Sequence, residues 1–311
     1  MRVAMGIGGD VLGAPITPQQ VVEQAEQAER DGFPSAWTTH FARGVDALSM
    51  LAVAGTKTSR IELGVGVVPT YPRHPLALAQ QAATTQAFCG GRLTLGVGVS
   101  HRPVIEDLHG IPYVRPAAHM REYLSVLVPL LNEGTVNYAG EFYRVNGGFT
   151  VPGTSPVSVV VAALSPKMVQ VAGECADGVV TWLAGVRSLE GHIVGPLTQA
   201  AAAAGRPRPR VVVALPVAVC DDADFGRQSA DTVFARYATL QNYQQLFERE
   251  GVQSPGAAAV VGTEADVTDQ LRRFADAGTT ELWPIVFGVG ADPQASIRRT
   301  QHLLAELAKT G

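Results

Sequence analysis

The sequence predicts an α/β protein folded as a single (β/α)8 TIM barrel over residues 1–311, and three observations predict it. Short apolar segments alternate with longer amphipathic ones along the chain, the pattern of repeated βα units. The 311 residues suit such a barrel better than an average domain, and the 46% hydrophobic content is ample for its core. No linker-like stretch divides the chain.

Taken in order, Arg2–Gly6 reads as the first strand. Thr17 and Pro18 open a helix as N-cap and first-turn proline, running to Asp31 and stopped by Gly32. Ser35–Thr38 is the second strand and Val45–Lys57 its helix. Ile61–Val67 (IELGVGV) is the third strand, followed by a helix from Leu76 to Phe88 that ends at Cys89-Gly90-Gly91. Leu93–Val99 (LTLGVGV) is the fourth; an irregular segment, Ser100–Pro116, separates it from a helix at Ala117–Asn132. Val136–Val151, with Gly140 at a turn, reads as a hairpin insertion.

Val157–Ala163 is the fifth strand, and its helix starts at Ser165-Pro166 and runs to Cys175. Gly178–Thr181 is the sixth strand, with a helix at Leu189–Ala204. Val211–Val219 is the seventh. Asp221–Gly251 is charged and helical, an excursion before the last unit. A helix at Glu264–Ala277, the eighth strand at Glu281–Val286 and a closing helix at Pro293–Lys309 complete the barrel.

Composition narrows the function. The net charge of −4 gives no general attraction to nucleic acid or an anionic membrane. Cys89, Cys175 and Cys220 are scattered and odd in number, so neither a disulfide framework nor a zinc site is expected, and a cytoplasmic compartment fits. The opening MRVAMGIGGD is too short an apolar run for a signal peptide or membrane anchor.

A barrel of this kind carries its active site at the C-terminal ends of the strands. There lie Gly8 and Gly9, Thr39 and His40, Gly66–Thr70, Gly98–His101, Ala163–Ser165, Thr181–Leu183 and Phe287–Gly290. His40, directly after the second strand, can move a proton near neutral pH; the plainer reading is a loop histidine that bonds the backbone. Gly64-x-Gly66 and Gly96-x-Gly98 mimic a dinucleotide fingerprint, but Pro69 and His101 fill the third glycine position. These glycines either let a flat ring approach the backbone or relieve packing in the barrel wall. Ser165-Pro166-Lys167 opens a helix whose free N–H groups suit a phosphate, or Ser165 is an ordinary cap. The Glu106-Asp107 pair could supply an acid, although adjacent loop carboxylates are more often solvated.

Several stretches together resemble luciferase-like oxidoreductases: AWTTHF around His40, LGVGVVPTYPRHP ending at Pro75, GGRLTLGVGVSHRPVIEDLHGIPYVRPAAHMREYL, the hairpin GEFYRV, and VAALSPKMVQVAGECADGVVTW. The form Gly98-x-Ser-His-Arg-Pro is similar to the actinobacterial branch that uses the deazaflavin coenzyme F420. The resemblance implies a coenzyme F420-dependent oxidoreductase, with FMN as the alternative cofactor, a small-molecule substrate and a homodimer. It implies a non-proline cis peptide at Gly66-Val67 behind the ring, His40 and secondarily His101 as catalytic groups, and Gly98 and Val99 along the ring edge. By the same resemblance Ala162, Ala163, Leu164, Ser165 and Lys167 lie near the phosphate tail and Thr181 at the next strand end, with Arg73 and Arg102 as further attractors of an anionic tail. Thr39 stands where relatives often have Asp, and His101 where sugar-phosphate dehydrogenases carry a catalytic Glu. An FMN-dependent monooxygenase and a barrel that binds ligand without catalysis are the competing readings.

Overall fold

The computed structural model describes residues 1–8 and 16–310, so Gly9 lies outside the described residues. The first strand is split at Ala4 into β1 (Arg2–Val3) and β2 (Met5–Ile7). The ring continues through β3 (Ser35–Thr38), β4 (Glu62–Pro69), β5 (Leu93–Gly98), β8 (Ser158–Ala162), β9 (Gly178–Trp182), β10 (Arg210–Val219) and β12 (Glu281–Val286). β1 pairs with β12 and β2 with β3, all in parallel, so the split strand closes the barrel. A short strand the sequence did not announce, β11 (Val260–Gly262), pairs with β10 outside the ring. β6 (Thr135–Ala139) and β7 (Arg144–Gly148) form the expected hairpin.

The outer helices are α1 (Pro18–Arg30), α2 (Ala47–Lys57), α3 (Pro75–Phe88), α4 (Pro116–Glu133), α5 (Pro166–Cys175), α6 (Val186–Ser188), α7 (Val194–Ala203), α8 (Ala223–Val233), α9 (Gln241–Glu250), α10 (Glu264–Asp276) and α11 (Pro293–Thr310). Their starts follow local chemistry. Thr17 and Gln20 cap α1 reciprocally, Asp46 caps α2, and Thr263 with Asp266 caps α10. Each cap satisfies N–H groups that a helix start leaves without partners.

Inside the barrel Trp37 stacks on Trp283, ring centroids 5.5 Å apart. Below them the N-terminal end is closed by an ionic plug. Arg210 donates to Glu62 (2.7 Å), Glu281 (2.6 Å) and Thr94 (2.9 Å), and Trp37 Nε1 donates to Glu281 (2.9 Å). Charge at that depth is tolerable only because each group is paired and hydrogen-bonded. At the opposite end, the excursion made of α8, a 3-10 turn (Ala235–Thr239) and α9 lies across the mouth. Arg236 reaches Phe41 and Tyr243 reaches His101. The fold thus closes one mouth with charge and roofs the other with aromatic side chains.

Candidate active site

His40 is almost covered, its side chain 9% exposed. Its Nδ1 accepts the backbone N–H of Ala47, the first residue of α2, at 3.3 Å. Asp46, the α2 cap, lies 3.9 Å from Nδ1, and Arg73 Nη2 stands 3.5 Å from Nε2. Arg73 is itself held by Asp46 (2.5 Å) and Gln81 (2.9 Å). Burial and then the Arg73 charge hold the His40 imidazole below its ordinary pKa, against the opposing pull of Asp46. The ring is therefore neutral at pH 7. With Nδ1 accepting from α2, the neutral ring carries its proton on Nε2, the edge that Arg73 also faces.

Asp46 was not legible as a site residue, although an Asp before a helix is itself a cap signal. Burial raises its pKa, but the hydrogen bonds from Arg73 and Ser49 and the Arg73 charge bring it down to about 2. Arg73 is thereby neutralised beside His40 and is not free to meet an anionic tail.

β4 carries an extra residue against β5: Val65 faces Leu95, but the next pair is Val68 with Val97. The Gly66-Val67 peptide in this bulge is cis. Gly66 and Gly98 are explained by packing. A Cβ on Gly66 would lie 2.3 Å from Trp283, and one on Gly98 would lie 2.5 Å from Val67. Packing alone accounts for the absence of a side chain at these two glycines. Val67 and Val99 remain only partly buried at the mouth.

His101 follows β5. Burial, then the charge of Arg236, lower its pKa, so it is also neutral at pH 7. Just before it Ser100 turns the chain with a left-handed backbone (φ 59°), and Leu183 does the same past β9 (φ 61°). The Thr181 hydroxyl and the Trp182 indole N–H are buried with no partner among the described residues. Orphaned polar atoms at the end of a barrel strand suit a ligand that brings acceptors.

On β8 and α5, Ala162, Ala163 and Leu164 lead into Ser165, whose hydroxyl accepts the Met168 N–H as the α5 cap. Lys167 is exposed on the first turn. The Leu164 carbonyl is taken by Arg249 of α9 (3.0 Å), which ties this strand end to the roof. Glu106 is engaged by Arg102 (2.5 Å) and Tyr113 N–H (3.1 Å), so the carboxylate pair serves the loop.

The roof was missed in sequence. Trp182 packs against Phe234 (5.5 Å) and Tyr237 (5.4 Å), and Tyr237 against Tyr243 (5.0 Å). No periodicity in the charged excursion marks these aromatics as neighbours. A cleft of about 560 Å³ lies elsewhere, on the barrel flank between Gly185–Glu190 and α10, and contains none of the residues above. Among the described residues no helix is long and apolar enough to cross a membrane, and no three His, Cys, Asp or Glu side chains gather as metal ligands.

Residues 2–281 match the luciferase-like monooxygenase family. A 5,10-methylenetetrahydromethanopterin reductase of Archaeoglobus fulgidus is 30% identical over 291 residues, covering 91% of this chain and 84% of the relative. An F420-dependent glucose-6-phosphate dehydrogenase of Segniliparus rotundus is 30% identical over 192 residues, 57% of either chain. The coenzyme F420-dependent tetrahydromethanopterin reductase from Methanopyrus kandleri shares the fold, with a TM-score of 0.79 at 23% identity over 98% of each chain.

Proposed function

The chain belongs to the luciferase-like monooxygenase family, and we propose that it is a coenzyme F420-dependent oxidoreductase that exchanges a hydride with a small organic substrate. The observation that carries the chemistry is His40, kept neutral at the start of α2, with Nδ1 held by the helix and Nε2 beside Arg73. A neutral imidazole oriented by a helix N-terminus polarises a carbonyl as a hydrogen-bond donor, a pattern known from triosephosphate isomerase. The relatives named for F420 support the coenzyme, and the buried orphan donors Thr181 and Trp182 fit a ligand rich in acceptors.

When bound, a deazaflavin supplies or accepts the hydride at the carbon that replaces the flavin N5. The protein does the rest. Val67, Gly98 and Val99 offer an apolar wall, and Thr39 and Thr181 flank the ring site. Ala162–Ser165 and the α5 N-terminus, with Lys167, offer backbone N–H groups and charge to a phosphate. His40 would hydrogen-bond the substrate oxygen through Nε2–H and stabilise its developing negative charge in reduction, the proton that completes the alcohol coming from solvent as product leaves and returning to it in the reverse direction; His101 is the second candidate. The roof of Trp182, Phe234, Tyr237 and Tyr243 excludes water. The sugar-phosphate activity of the Segniliparus relative is not carried over, because His101 stands where those enzymes have Glu. Exposed Val53 and Phe88 on α2 and α3, beside a shallow groove at Leu48, Ala52, Ala77 and Thr84, support a homodimer through that face.

The test is a titration with F420 and with FMN, followed by anaerobic turnover with a carbonyl and alcohol panel. Binding of F420 is expected, and His40→Ala should lower turnover by about 100-fold while coenzyme binding persists. Tight FMN binding without an F420 response refutes the coenzyme. Unchanged turnover in His40→Ala refutes the histidine alone.

A further inference from the structure

Arg236 stands over the mouth, contributed by the excursion between β10 and β11. Its guanidinium lies 5.0 Å from the ring centre of Phe41 and 4.8 Å from that of Tyr237, and donates to the Tyr237 hydroxyl at 2.8 Å. Phe41 directly follows His40. On the other side the Arg236 charge is felt by His101, whose ring lies 5.9 Å from Tyr243. The guanidinium therefore sits on the His101 side of the mouth, over Phe41.

Among the described residues its charge is not compensated as that of Arg73 and Arg102 is. Arg73 is paired with Asp46 and Arg102 with Glu106. Among the described residues no carboxylate forms an ion pair with Arg236, which rests on two aromatic faces instead. Aromatic faces orient a guanidinium without neutralising it, and leave its fork of donors open. Trp182 Nε1, without a partner among the described residues, is also a donor, and the Thr181 hydroxyl next to it in the chain can donate or accept. Arg236 rests on the partly buried Phe41 and on Tyr237, with Trp182, Phe234 and Tyr243 packed behind, and this surface calls for a flat apolar body with an acceptor group. One unpaired arginine with no lysine in the cluster suits a monoanion, and its planar fork matches a carboxylate.

We propose that Arg236 reads a carboxylate on the substrate, so that this mouth selects aromatic or otherwise planar apolar carboxylates. The proposal rests on the oxidoreductase reading only in taking the C-terminal mouth as the substrate entrance.

The test compares naphthalene-2-carboxylate with the uncharged, isosteric naphthalene-2-carboxamide. Binding is followed by calorimetry and tryptophan fluorescence on the coenzyme-free full chain, in wild type, Arg236→Gln and Arg236→Lys. The wild type should prefer the carboxylate by about tenfold or more. Arg236→Gln should bind both alike, and Arg236→Lys should keep part of the preference. Equal affinities in the wild type, a preference that survives in Arg236→Gln, or no carboxylate binding at millimolar concentration would overturn the proposal. Inorganic phosphate displacing the probe as well as unlabelled carboxylate would overturn the assignment of class. An F420 titration of the same proteins separates the two readings: if the wild type ignores F420 the coenzyme assignment fails, while the carboxylate preference is still read without it.

Discussion

Asp46→Asn separates charge from geometry at the one place where the helix cap and the candidate catalytic histidine meet. Asn caps a helix about as well as Asp, so the bond from Ser49 N–H to Oδ1 survives, and what is lost is the charge together with the Oδ2 acceptor that Arg73 uses. The Asp46 carboxyl falls from 3.8 to about 2 on folding, which corresponds to about 2.4 kcal/mol at roughly 1.36 kcal/mol per pH unit. The side chain is 31% exposed. Solvent screening therefore reduces the expected loss to about 1–2 kcal/mol. A carboxylate whose pKa is lowered on folding stabilises fully above its unfolded value and ceases to do so as the pH falls through the folded value. The deficit of the variant, measured by urea unfolding, should thus be full at neutral pH and shrink between about pH 4 and pH 2. A second consequence follows at His40. Asp46 is the group that raises the His40 pKa against burial and Arg73, so its removal lowers that pKa further. If His40 titration sets the acid limb of the turnover profile, that limb moves to lower pH. Equal stability of variant and wild type at pH 7, or a deficit that persists undiminished at pH 2, would refute the assignment of charge to this site.

Two further substitutions probe the frame. Glu29 is partly buried, which raises its pKa, but the backbone N–H groups of Ile61, Arg60 and Ser59 bring it down to about 2. Glu29→Gln should cost about 1–2 kcal/mol at pH 7 after solvent screening, and thermal melts should show the gap closing as the pH falls from about 4.5 towards 2. Glu281 is 1% exposed and is bonded by Ser35, Trp37 and Arg210. Glu281→Gln leaves Arg210 with Glu62 but unbalances the plug, and should cost about 3 kcal/mol by denaturant titration. A loss below about 1 kcal/mol would show that water or Glu62 compensates.

Much of the frame was written locally. Each barrel strand is a short apolar run between turn signals, and each cap is a polar residue placed within three positions of the N–H it serves. Thr17 and Ser165 could be placed from sequence because their partners are neighbours in the chain. His40 was legible for a related reason: barrel topology sends every strand end to one face, so order along the chain gives position in space.

The electrostatic state of that histidine was not legible. Arg73 and Asp46 come from different βα units, and only the parallel pairing of β3 with β4 sets them against the two nitrogens of one imidazole. The same holds for the roof, where Arg236 and Tyr243 reach the loops after β3 and β5 from the far side of the barrel. The glycines show the converse. Their spacing suggested room for a ring, but the space beside Gly66 is filled by Trp283 from the last strand. Sequence by itself determined which elements form and which ends carry the chemistry, because caps and apolar runs act over a few residues. Tertiary structure decided which charges face one another, because pairing across a barrel depends on closure, which no local pattern encodes.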